Sequence, residues 1–188
     1  MFFGDKELIF DEPLIMGIIN LTPDSFSDGG KFLKKNSDRD IDKNKVQKEL
    51  EVLENNGASF IDIGAESTRP GHKTISIQQE IDRLMPALEL ISKSNCVISI
   101  DTRKPEVMKE ALKYPVGLIN DVSALESLEA KEIIRDANIP VCVMHNRRVK
   151  SISIEADIKK FFKDKIQELT SFGISNENII LDLSLIHI

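Results

Sequence analysis

Residues Met16–Gly30 read MGIINLTPDSFSDGG. A short apolar strand runs directly into Asn20 and then into a loop dense in Asn, Thr, Ser, Asp and Gly. Strand interiors bury apolar side chains, so polar groups gathered at a strand's carboxyl end mark a place where a site is built. The same switch recurs at Ile61–Gly71 (IDIGAESTRPG), Ile98–Lys104 (ISIDTRK), Leu118–Val122 (LINDV), Val141–Arg147 (VCVMHNR) and Ile179–Asp182 (IILD).

Between these segments lie amphipathic stretches with helix signals. The spacing predicts strands over Leu14–Asn20, Phe60–Ile63, Val97–Asp101, Leu118–Asp121, Val141–Met144 and Ile179–Asp182. It predicts helices over Lys45–Asn56 (stopped by Asn56–Gly57), Ile77–Ser92, Pro105 to Leu112, Leu125–Asn138, and Ile154–Phe172 (stopped by Gly173). Ile77, Ile81, Leu84, Leu88 and Ile91 share one helical face, while Pro86 inside that pattern predicts a kink or local break. The long connection of about Leu21–Asn44 is polar and expected to be mobile.

Strands alternating with helices imply a parallel sheet and the α/β class. An open doubly wound sheet is one solution, but no G-x-G-x-x-G or G-x-x-x-x-G-K-[ST] loop follows any strand. Polar groups at every strand end fit a TIM (β/α)8 barrel better, because there all the strand ends converge on one mouth. A complete barrel takes about 250 residues, so this chain of 188 carries about the first six βα units. An open barrel of that kind exposes two unpaired edges and part of its core, which predicts poor solubility.

Hydrophobic residues make up 41% and charged residues 30%, a balance of folded globular chains rather than disordered ones. A net charge of −6, with Lys and Arg interspersed among Asp and Glu, argues against a nucleic-acid surface. No apolar run approaches the length of a membrane span and no secretory leader pattern opens the chain, so a cytoplasmic protein is expected. Cys96 and Cys142 fall at strand positions among Val and Ile, which reads as buried, reduced and structural. The ending Leu183–Ile188, LSLIHI, replaces the loop and helix that should follow the sixth strand. It is expected to be a non-native tail on a domain spanning residues 1–182, with the natural chain continuing past Asp182, and His187 carries no functional weight.

Taken together, NLTPDSFSDGG, ESTRPG, SIDTRKPEV, INDVSA and VMHNR resemble, in order, the motifs of the dihydropteroate synthase family of pterin-binding barrels. The resemblance spans Leu14–Asp182. It implies the joining of 4-aminobenzoate to (7,8-dihydropterin-6-yl)methyl diphosphate, with release of diphosphate and help from Mg²⁺. Asn20 aligns with the family's metal-linked Asn, and a neutral amide oxygen suits Mg²⁺, whose shell is completed by water and substrate phosphate. By the same resemblance Thr68 contacts phosphate, Arg69 and Pro70 shape the anion and aminobenzoate side, and Phe26 packs on the aminobenzoate ring. Asp101, Asn120 and Asp182 receive the pterin edge, since carboxylates and an amide match its N–H donors. Met144 forms an apolar wall against the pterin face. Asp62 and Asp121 stand beside site residues, as a second layer behind the site or as helix caps. No nucleophile of the Ser-His-Asp or Cys-His kind presents itself. The family's Gly-rich turn after the Asp of strand six, and its later Lys, Arg and His, have no counterpart here. The family's homodimer relies mainly on C-terminal helices that this chain lacks, so the full-length enzyme is expected to be a homodimer and this chain not.

Overall fold

The computed structural model describes residues 1–23, 30–67, 74–146 and 153–183. The chain opens with a small antiparallel hairpin, β1 (Phe2–Phe3) and β2 (Lys6–Glu7), turned at Gly4, whose φ is +64°. Sequence patterning does not reveal it, because two-residue strands carry no periodicity. Next come β3 (Ile15–Asn20), α1 (Lys43–Asn55), β4 (Ala58–Gly64), α2 (Ile77–Ile91), β5 (Val97–Asp101) and α3 (Pro105–Ala111). The chain continues through β6 (Val116–Asp121), α4 (Leu128–Ala137), β7 (Val141–Met144), α5 (Ile154–Phe172) and β8 (Ile179–Asp182).

Strands β3 to β8 form one parallel sheet in strictly sequential order. A doubly wound sheet reverses its order at a switch point, and this sheet has none, so the topology is that of a barrel. The outer strands leave Ile15 and Ile18 of β3 and Leu181 of β8 exposed.

The main core lies between the outer face of the sheet and the helices, with Ile61, Ile63, Ile98, Ile100 and Ile119 meeting Leu84, Leu88, Met108 and Ile134. A second, smaller core sits against the hairpin, where Phe3 joins Phe60, Val97 and Leu118. The Phe3 and Phe60 rings meet edge to face at 4.9 Å. Gly117 permits this approach: a Cβ there would stand 2.8 Å from the Phe3 carbonyl oxygen.

Helix ends follow the sequence. Side chains of Asp42, Ser76, Ser127 and Ser153 cap α1, α2, α4 and α5, and Gly173 takes the left-handed stop after α5 at φ +104°. Three expectations are corrected. Helix α2 runs through Pro86 without a break, held by Arg83, Leu84, Ala87 and Leu88, which are buried on both sides of the proline. Helix α4 begins at Leu128 rather than Leu125, because the Asp121 carboxylate collects the N–H groups of Ser123 and Leu125 and turns Ala124 and Leu125 to positive φ. The first βα connection is not merely a polar, mobile loop: its described part buries Phe32, Leu33 and Ile41 and pairs Leu33 with Ile41. Cys96 stands one residue ahead of β5, where its thiol donates to the Ala58 carbonyl, while Cys142 lies within β7; both are free thiols.

Candidate functional site

Sheet register gathers the polar strand ends. Asn20 pairs with Gly64, Gly64 with Asp101, Asp101 with Asn120 and Asn120 with Cys142, while Met144 pairs with Asp182. Thus Asn20, Asp101, Asn120, Met144 and Asp182, all singled out by sequence, share the carboxyl rim of one sheet. Phe26, Thr68, Arg69 and Pro70 lie outside the described residues. Gly64 keeps the rim open: a Cβ there would stand 3.1 Å from Asp101 Oδ2 and 3.6 Å from Asn20 Oδ1.

Below the rim lies a buried polar triad. The Ser99 hydroxyl donates to Asp62 Oδ1 at 2.5 Å, and the Asn120 amide Nδ2 donates to Asp62 Oδ2 at 3.1 Å. Alternation along β4 and β5 turns Asp62 and Ser99 to the same side of the sheet as Asp101 and Asn120. Burial pushes the Asp62 carboxyl above its usual range, and the two donated hydrogen bonds oppose that push. Asp101 is held further up: burial acts first, then the charges of Asp62, Glu80, Asp121 and Glu66, and its Oδ1 is enclosed with no hydrogen-bond partner among the described residues. Both carboxyls are thus pushed up, and Asp101, which lacks the two donated bonds that oppose the push at Asp62, is pushed further.

A second network braces the loop between β4 and α2. Lys104 Nζ lies 3.1 Å from Glu66 and 2.7 Å from Glu80 and donates to the Ile75 carbonyl at 2.8 Å. Thr102 donates to Glu80 at 2.6 Å, and the Ile75 N–H donates to Glu66 at 3.0 Å. Burial raises the Glu66 carboxyl, but the bonds from Ile75 and Lys104 and the nearby charge of Arg103 outweigh it and hold the group below its usual range. The buried Arg83 donates to the carbonyls of Ala65 and Asp38, tying the end of β4 to the first βα connection. Sequence reading misses Glu80 and Arg83, because charges on an amphipathic helix read as solvated until the fold buries them. The one signal was their place on α2 beside the apolar face that carries Leu84 and Leu88.

The remaining neighbours divide cleanly. Asp121 is fully buried and spends both oxygens on Ser123 and Leu125, so it builds the turn after β6 rather than the site. Met144 is buried at the end of β7. His145, next along, is buried with Nε2 3.1 Å from Asp157 and its ring edge-on to Phe161 at 4.9 Å. The Cys142 thiol is pushed up to about 12, first by burial and then by the carboxylates of Asp182, Asp62 and Asp101. The thiol is therefore held in its protonated, weakly nucleophilic form. Among the described residues no group of three or more His, Cys, Asp or Glu side chains could hold a metal ion. No described helix is long and apolar enough to cross a membrane.

A barrel rim lined by paired acceptors matches an established class: the chain belongs to the pterin-binding enzyme family, whose pattern matches residues 16–187. Within that class the particular relatives are dihydropteroate synthases. The one from Escherichia coli K12 is 36% identical over 191 residues, covering 97% of this chain and 65% of the relative. The Yersinia pestis dihydropteroate synthase in complex with a sulfonamide drug superposes with a TM-score of 0.84 at 33% identity, over 93% of this chain and 64% of the other. The Burkholderia cenocepacia enzyme complexed with 7,8-dihydropteroate gives 0.81 at 30% identity, over 96% and 61%. The fold is therefore a six-stranded part of the TIM barrel of these enzymes, and the chain spans just under two thirds of the length of the relatives it matches.

Proposed function

We propose that this chain carries the pterin-binding side of a dihydropteroate synthase site in folate biosynthesis, on which 4-aminobenzoate and (7,8-dihydropterin-6-yl)methyl diphosphate combine to 7,8-dihydropteroate and diphosphate. The observation that carries the reading is the rim of Asp101 and Asn120 over Asp62, with Asp101 Oδ1 enclosed and unpartnered among the described residues. An enclosed acceptor without a donor costs about 1–3 kcal/mol. A flat heterocycle presenting adjacent N–H donors relieves that cost. The acceptors orient the ring so that its methylene carbon faces the strand ends near Asn20. The aminobenzoate amine attacks that carbon, the C–O bond to diphosphate breaks, and the proton lost from the amine passes to solvent. No covalent bond to the protein is needed.

The donor chemistry fits Mg²⁺ in one limited sense. Asn20 offers a single neutral oxygen beside Gly64, suited to an ion whose other ligands are water and substrate phosphate rather than a protein cage. Asn20 would hold Mg²⁺ through that oxygen, and the ion would supply charge opposing the departing diphosphate. Thr68 is assigned to the diphosphate side, and Phe26, Arg69 and Pro70 to aminobenzoate and its loop.

The test is calorimetric titration of 6-hydroxymethylpterin into the purified chain, followed by a diphosphate-release assay with both substrates. Pterin binding abolished by Asn120→Ala supports the reading, and diphosphate release extends it to turnover. Pterin binding without release leaves a pterin-binding module. Binding that ignores Asn120→Ala, or no binding, overturns the reading.

A further inference from the structure

We infer that Ser99 and Asp62 form a polarity relay that fixes which end of the Asn120 amide is left for a ligand, and so selects a ligand edge that presents hydrogen-bond donors. The inference rests on the pterin reading of the site and assigns two positioning residues to it. Ser99 is fully buried and its hydroxyl has one proton, which it gives to Asp62 Oδ1. Asp62 Oδ2 then takes a proton from Asn120 Nδ2. A charged carboxylate only accepts, so the amide of Asn120 must turn its NH₂ inward, and its carbonyl oxygen is left over. Asp101, the register partner of Asn120, places a second acceptor alongside. The described titratable groups whose charges bear on Asp101 are Asp62, Glu80, Asp121 and Glu66, all acidic, so none offers it a donor. A 2-amino-4-oxopyrimidine edge, with an amino group beside a ring N–H, satisfies two neighbouring acceptors, whereas a 2,4-dioxo edge meets them with an unpaired oxygen.

Asp62→Asn reverses the relay. The new amide keeps its oxygen for Ser99 and offers its NH₂ to Asn120, which then flips and presents its own NH₂ outward. The experiment compares affinities for 6-hydroxymethylpterin and its 2-oxo analogue, 6-hydroxymethyllumazine, in the parent, Asp62→Asn and Ser99→Ala. In the parent the pterin is preferred; in Asp62→Asn the ratio moves toward the lumazine by about tenfold or more, the effect of one mismatched polar contact in a closed site. Ser99→Ala narrows the ratio without inverting it, and carries the comparison if Asp62→Asn does not fold. Equal loss of both ligands, with the ratio unchanged, overturns the relay and leaves a structural role.

A ligand-free readout separates this inference from the proposed function. In ¹⁵N-labelled parent protein the Asn120 side-chain amide should be protected from solvent exchange by Asp62, and that protection should fall in Asp62→Asn. If the parent binds neither pteridine, the proposed function fails, while a protected Asn120 amide that responds to Asp62→Asn still sustains the relay. An Asn120 amide that exchanges freely in the parent refutes it.

Discussion

Asp101→Asn should make this protein more stable while weakening its binding of pterin. In the free protein the Asp101 carboxyl is pushed well above its ordinary range, first by burial and then by Asp62 and three further acidic groups, and its Oδ1 lacks a donor among the described residues. An enclosed polar group left unsatisfied costs about 1–3 kcal/mol, and the substitution keeps the shape while removing the charge. A gain of about 2 kcal/mol raises Tm by about 4–8 °C in a chain of this size. The sign follows from proton linkage. The unfolded carboxyl titrates near its reference value of about 3.9, while the folded one holds its proton to higher pH. The parent therefore loses stability as pH rises from the unfolded value through the raised folded one, and the Asn variant does not. Urea midpoints measured from about pH 4 to pH 8 should show the two proteins converging at the acid end and the variant ahead at neutral pH. A variant that is no more stable at neutral pH, or whose advantage is the same at every pH, refutes the reasoning.

Gly117→Ala places a Cβ 2.8 Å from the Phe3 carbonyl oxygen and 2.9 Å from its carbonyl carbon, both backbone atoms that cannot swing aside. It should cost about 1–3 kcal/mol and speed hydrogen exchange in the hairpin, read by urea midpoint and amide exchange at Phe3. Lys104→Met leaves the buried Glu66 and Glu80 carboxylates without their shared cation and should cost about 3–5 kcal/mol. Because Glu66 is held below its usual range, its pairing contributes stability above the unfolded value of about 4.3, and that contribution is lost as pH falls through the folded value. Thermal midpoints over that acid range should decline less steeply in Lys104→Met than in the parent.

The strand alternation, the class and the residues at each strand end are legible in the sequence, because all three depend on local pattern: period-2 apolar runs, helix stops at Gly57 and Gly173, and polar residues where strands finish. Asn20, Asp101, Asn120, Met144 and Asp182 are found this way, since a strand's last residue is fixed by the strand itself. Where patterning fails, a distant group decides. The start of α4 moves because Asp121 captures two backbone amides, and Pro86 is tolerated because burial on both sides holds α2 together. The hairpin escapes notice because its buried contacts, Phe3 on Phe60, Val97 and Leu118, join residues far apart in the chain.

By itself, then, the sequence determined that Asn20, Asp101, Asn120, Met144 and Asp182 stand at the carboxyl rim, for that needs only where each strand ends. The tertiary structure alone decided their burial and hydrogen-bond partners. Ser99, Asp62 and Asn120 come from three strands, and only the parallel register brings one hydroxyl, one carboxylate and one amide within hydrogen-bond reach. The upward push on Asp62 and Asp101 and the shared cation of Glu66 and Glu80 are properties of burial and of neighbours. A linear sequence holds the residues that make such an environment but not the distances that create it.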